Sequence, residues 1–204
     1  MPFNIRIGRQ TAGITGQFVG EGAPSPVNKL AFDNVTLPWA KASCIVVLNN
    51  ELVRMANPSA EALVREDLLA GIAQYLDKRL VDPGFAGVAN VSPASLTNGV
   101  TAVASSGVTL AAITTDAEAA LDKFDQAEME GSLTWIYARK TARRLSMFRN
   151  TNDEFAFPTV NPEGGTFFGY QTIVSNNVEA AGSPTDRHVL LADQSEILLA
   201  DDGE

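Results

Sequence analysis

Residues 1–40 read as extended chain with too little apolar bulk to build a second layer, and this shortage constrains what the rest can fold into. Phe3, Ile5 and Ile7 alternate with Asn4, Arg6 and Gly8, the period of a half-buried strand. Gln17-Phe18-Val19 forms another short run ahead of GEGAPSP at 20–26, where two glycines and two prolines exclude regular structure. Strand character resumes over LAFDNVTL at 30–37. The simplest arrangement is one long two-stranded hairpin with its ends near residues 10–17 and 37. A lone hairpin is marginal in water, so this arm needs a neighbouring molecule.

The apolar run ASCIVVL at 42–48 predicts a buried strand. A long helix is predicted over 58–81, with Asn57 or Ser59 as cap and Pro58 in the first turn. Val64, Leu68, Ile72, Leu76 and Leu80 recur every four residues on one face, with Leu69 and Tyr75 beside them, and Asp82-Pro83-Gly84 stops the helix. Its span is roughly 36 Å at ~1.5 Å per residue, which is long for a small domain. From Pro83 to Thr115 there is no charged residue. That stretch reads as loop and strand covered by protein, from this subunit or another. A helix starting near Thr115 would put Asp116 and Glu118 where the dipole favours acids. Beyond it the pattern predicts a strand at 133–137, a short helix at 139–148, strands around 166–175, and two short strands or a strand and a turn over 188–199. No internal repeat is visible.

Charge and composition exclude several function classes. With 24 acids against 15 bases the formal charge is −9, the wrong balance for a chain built mainly to grip phosphates. One cysteine, Cys44, excludes an internal disulfide framework and any multi-cysteine metal site. One histidine, His188, leaves little room for zinc chemistry. No apolar run is long enough to span a bilayer, and the start MPFNIRIGRQ lacks an apolar signal core, which predicts a cytoplasmic chain.

Catalytic signals are weak. There is no P-loop, dinucleotide fingerprint, HExxH or GxSxG. His188 with Asp186 lies in a hydrophilic loop and reads as a satisfied surface group. Cys44 reads as a buried structural thiol. Glu66-Asp67, Asp153-Glu154 and Asp201-Asp202 are sequence neighbours, which on a helix point apart. Gly164-Gly165 and Gly169 read as a turn entering a strand, not a phosphate loop. The sequence therefore assigns no catalytic, cofactor or metal residue and expects no enzyme. One basic cluster stands out: Arg139, Lys140, Arg143, Arg144 and Arg149. On a helix, 139 and 140 stack over 143 and 144 as one cationic face. It is a solvated face, an interface with an acidic surface on another copy, or a contact with nucleic acid. The tail at 193–204, with acids and no bases, is a candidate partner of opposite sign.

The order VGEGAPSPVNKLAFDNVTL, KASCIVVLNNELVR, NPSAEALVREDLLAGIAQYLDKRLVDPG, then TWIYARKTARRLSMFRNTNDEFAFP and GGTFFGYQTIVSNNV, resembles the tailed-bacteriophage major capsid protein family. The resemblance covers nearly the whole chain. It implies an α+β head fold, also found in encapsulins: an N-terminal strand and extended hairpin loop (1–40), a peripheral domain (41–115) with a spine helix at 58–81, and a mixed α/β axial domain (116–204). It further implies a structural subunit of an icosahedral shell around double-stranded DNA, with an encapsulin-like storage compartment as the alternative. Expected partners are other copies in hexamers and pentamers, a scaffold, a portal and packaged DNA held without sequence specificity, with no membrane. The expected locations are the virion capsid and, during assembly, the bacterial cytoplasm. Phe18, Glu21, Lys29 and Phe32 of the loop, and Arg139, Lys140, Arg143 and Arg144 of the short helix, are expected at subunit contacts.

Two departures from the family pattern carry expectations. An N-terminal arm and the strands that complete both domains are missing from the matched pattern, so the chain is expected to assemble more weakly than a complete subunit. The loop tip has no lysine, and Lys29 lies several residues beyond it. The covalent subunit crosslinks of some family members are therefore not expected.

Overall fold

Leu133-Thr134-Trp135-Ile136-Tyr137 carries a large apolar or aromatic side chain at four of five positions, a pattern that suits a strand covered on both faces. The computed structural model, which describes residues 5–13, 16–25, 27–37, 40–48, 59–89, 91–129, 131–178 and 188–199, places this strand inside the larger of two units.

The smaller unit contains the arm. Strand β1 (Ile5–Ala12) pairs antiparallel with β2 (Ala31–Leu37), from Ile5 opposite Leu37 to Gln10 opposite Phe32, with an irregularity before Ala12. Ile7, Val35 and Leu37 are half-buried, and the other β2 residues are exposed. The arm was legible as a hairpin, but Gln17-Phe18-Val19 forms no strand and Phe18 is fully exposed. The glycines around that run favour turns. At Glu21-Gly22, Gly22 adopts φ 82° and Ala23 N donates to the Gly20 carbonyl at 3.0 Å.

In the larger unit, β3 (Leu133–Tyr137) lies inside a five-stranded sheet with β4 (Val160–Asn161), β5 (Gly164–Phe167), β6 (Tyr170–Val174) and β7 (Val189–Asp193), in the order β4-β5-β6-β3-β7. It runs parallel to β6 and antiparallel to β7. One face of the sheet carries Trp135, Tyr137, Phe167 and Leu191, and is covered by α2 (Leu110–Gln126) through Ala117 and Leu121 and by α3 (Arg139–Ser146) through Ala142 and Leu145. Phe167 is the hub, edge-on to Trp135 at 5.4 Å and to Phe157 at 5.2 Å between ring centroids. Such pairs add about 0.5–1.5 kcal/mol each beyond area burial. On the other face Ile136 and Leu190 pack with Ala138, Val178 and Val81, the last residue of α1 (Ser59–Val81). Burial pushes the Tyr137 phenol up, with the Thr172 hydroxyl acting the other way.

The α1 helix forms where its periodicity predicts, and Asn57 and Pro58 lie outside the described residues. Val64, Leu68 and Ile72 are half-buried. Its end is closed by the charge-free stretch that follows. Leu96 N donates to the Leu80 carbonyl at 3.0 Å and Thr97 Oγ1 to the Val81 carbonyl at 3.1 Å, which satisfies two carbonyls that a helix terminus otherwise leaves orphaned. Asp82 accepts from Gly84 N at 2.9 Å and from Arg79 at 3.2 Å, and the Arg79 guanidinium covers the Phe85 ring at 4.6 Å.

Three expectations are corrected. Residues 42–48 form no strand and are exposed, Ile45 by 90% and Val47 by 91%. A β-rich run needs a partner edge, and among the described residues none pairs with it. Helix α2 begins at Leu110 rather than near Thr115, because Thr109 caps it by accepting from Ala112 N at 3.3 Å. Its first turn is uncharged, which hid the start and leaves Asp116 and Glu118 in the helix middle. Between 83 and 109 the described residues hold one isolated bridge, Val88 to Ser92, and no strand, and 101–109 are exposed.

The β5–β6 hairpin turns on Phe168 (φ 49°) and Gly169 (φ 86°), both left-handed as a primed turn requires. Phe168 meets Phe157 edge-on and Phe167 at a tilt, contacts that offset a conformation a bulky residue rarely takes. Gly165 is more constrained, since it adopts φ 120° and a side chain there would run into the Thr159 carbonyl. Gly165→Ala should therefore lower stability by about 1–3 kcal/mol. Urea denaturation checks this, and an unchanged midpoint would refute the role.

Candidate functional site

The described residues present surfaces rather than a catalytic pocket. Among them no group of three His, Cys, Asp or Glu side chains could hold a metal ion, and no helix is long and apolar enough to cross a membrane. Cys44 is exposed, which corrects the buried-thiol expectation and follows from the unpaired 42–48 run. His188 is half-buried just before β7, and its sequence neighbour Asp186 lies outside the described residues. Gly164 and Gly165 lie in β5 opposite Asn161 and Val160, as a turn entering a strand would place them.

The basic cluster resolves into two parts. Arg139, Lys140, Arg143 and Arg144 are all exposed on α3, while Ala142 and Leu145 anchor the helix in the aromatic core. None of the four has a carboxylate partner among the described residues. Stacked like charges at i,i+4 cost about 0.2–0.5 kcal/mol per pair, so α3 holds this face at a small loss. Arg149 is separate. It donates to the Asp153 carbonyl at 2.6 Å and covers the Phe155 ring at 4.5 Å, and so serves its own loop. The acidic tail is also reduced as a partner, because Asp193 is buried and accepts from Ser195 N at 2.9 Å and Ser195 Oγ at 2.7 Å.

The loop residues expected at contacts are all exposed: Phe18, Glu21, Lys29 and Phe32, the last by 70%. They belong to the small unit and α3 to the large one. Two features escaped the sequence reading. Leu69, Ala73, Leu76 and Leu80 form an exposed apolar stripe on α1, offset from the half-buried Val64-Leu68-Ile72 line. Both lines were visible in the sequence, but the four-residue repeat merged them. Glu118, Asp122 and Asp125 form an exposed acidic stripe on α2 at i, i+4 and i+7. That spacing was a usable signal once the helix start was known.

Asp116, on the same helix, has a different task. Ser106 N donates to its carboxylate at 2.9 Å and Ser105 Oγ at 3.0 Å, and Lys123 Nζ reaches the Thr101 carbonyl at 3.4 Å. Together these pin the charge-free stretch along α2.

Comparison with known proteins identifies what these surfaces belong to. The model of the phage capsid family matches residues 3–204, and the chain belongs to that family. It is 36% identical over 204 residues to the capsid polyprotein of Pseudomonas phage PAJU2, covering 100% of this chain and 30% of that protein. It is 24% identical to the major capsid protein of Klebsiella oxytoca phage phiKO2, covering 98% of this chain and 48% of that protein. The chain thus spans about a third to a half of these relatives. Among solved structures, Mycobacterium phage Bobi matches at TM-score 0.62 and 17% identity over 94% of this chain and 64% of that one. The capsid of a native GTA particle matches at TM-score 0.63 and 13% identity over 88% and 65%. These likenesses show the fold, the tailed-phage head fold that the sequence resemblance implied.

Hydrogen bonds from Ser106, and then from Ser105, hold the Asp116 carboxyl below its usual range against partial burial. A depressed folded pKa means the contact is intact above the unfolded value and is lost as pH falls through the folded one. The protection factor of the Ser106 amide, taken against its intrinsic exchange rate at each pH, should be appreciable at neutral pH and fall as pH drops below the usual aspartate range, and in Asp116→Ala it should be near one throughout. Protection that ignores pH and survives the substitution would refute the anchor.

Proposed function

We propose that this chain is the major capsid subunit of a tailed phage or prophage, building hexamers and pentamers of an icosahedral shell around double-stranded DNA. The observation that carries this is the arm. Among the described residues, strands β1 and β2 pair with each other as a sheet of two strands, with Phe18 and Phe32 exposed. Two strands do not sustain themselves in water, so such an arm is useful where a neighbouring copy lies beneath it. The apolar stripe on α1 and the exposed 42–48 run make the same demand. Interfaces of obligate assemblies cover about 2,000 Å² or more, at ~25 cal/mol per Å² of apolar surface before association costs. In this reading, 1–40 are the extended loop, 41–115 the peripheral domain with α1 as its spine, and 116–204 the axial domain. Phe18, Glu21, Lys29 and Phe32 meet the next subunit. The role is structural and not catalytic, with scaffold and portal as further partners and the bacterial cytoplasm as the place of assembly.

The experiment is expression of the gene product that carries these residues, followed by electron microscopy, mass measurement and nuclease protection. Closed shells holding protected DNA are expected when packaging is supplied. A product that stays monomeric at every concentration overturns the reading, and shells that hold a cargo enzyme instead of DNA turn it into a storage compartment.

A further inference from the structure

Two helices on one side of the larger sheet carry opposite charge, and each carries part of it at the end that disfavours it. Arg139 and Lys140 occupy the first turn of α3, where the positive end of the helix dipole disfavours cations. Asp122 and Asp125 lie towards the C-terminus of α2, where the negative end disfavours acids. Glu118, Asp122 and Asp125 are exposed and, like the four bases of α3, find no ion-pair partner among the described residues. Both helices turn their apolar residues into the same aromatic core, Ala117, Ala120 and Leu121 from α2 and Ala142 and Leu145 from α3, so both charged faces point away from it.

We propose that the acidic stripe of α2 on one copy docks on the basic face of α3 on the next, a head-to-tail contact that closes a ring of subunits. The inference rests on the proposed shell function and assigns one of its contacts. The extents match. Residues 118–125 rise about 10 Å along α2 and residues 139–144 about 7.5 Å along α3, so three acids face four bases over a similar length. A contact between unlike patches on identical subunits repeats by rotation and closes where the rotation allows. Complementary charge of this kind sets register and rejects wrong pairings. Nucleic acid is the poorer occupant of α3. The chain's formal charge is −9, and a polyanion approaching this side of the sheet also meets the α2 acids.

The test uses the full gene product with two paired reversals, Arg139→Glu/Lys140→Glu and Asp122→Lys/Asp125→Lys, and their combination. Each reversal moves charge to the end of the helix that favours it, so thermal stability should hold or rise while ring and shell yield falls about tenfold or more at low salt. The combination should restore the yield. The milder Arg139→Gln/Lys140→Gln should flatten the salt dependence of assembly. Either reversal assembling like the wild type, or a combination that fails to rescue, overturns the contact and leaves the shell reading standing. Normal shells that lose DNA assign α3 to nucleic acid and also overturn it. A wild-type product that forms no particles fails the shell reading itself, and this contact with it.

Discussion

Phe167 is the point on which the larger unit turns. Its ring meets Trp135, Tyr137 and Phe157 edge-on, and thereby ties three separate stretches of chain into one interior. The short helix α3 has only two fully buried side chains, Ala142 and Leu145, with which to hold to this interior. Both pack into the aromatic cluster around Phe167. The strand beneath, β3, has helices on both sides of its sheet, so its alternate residues find apolar company in either direction. Removing the hub would loosen the sheet and the helical layer together.

Outside that interior the chain leaves much of its apolar surface in water. Among the residues whose burial is described, α1 buries only Val81 and shows leucines along its length, and the arm reaches no more than half-burial, at Ile7, Val35 and Leu37. In a free enzyme such exposure would be a solubility defect. Under the proposed shell function it is surface for other subunits to cover. Charged patches of opposite sign contribute to specificity more than to affinity.

Where the sequence could be read, local pattern was sufficient. The alternation at Ile5 to Ile7, the Asp82-Pro83-Gly84 stop, and the 3.6-residue spacing of Arg139, Lys140, Arg143 and Arg144 each depend on neighbours a few residues away. The failures depend on something distant. Ile45-Val46-Val47 looks like any core strand, and only the absence of a partner edge among the described residues tells it apart. Thr109 could cap a helix or begin a turn, and the uncharged residues after it offered no dipole signal. The fold as a whole was legible through the resemblance rather than through periodicity, because two-residue strands such as β4 leave no pattern to find.

The stretch between α1 and α2 is pinned to α1 by Leu96 and Thr97, and to α2 through Thr101, Ser105 and Ser106. It acts as a guy-line between the two helices. Its anchors on α2 are the charged side chains of Asp116 and Lys123, so the line holds while Asp116 is ionised and slackens when that carboxylate is protonated.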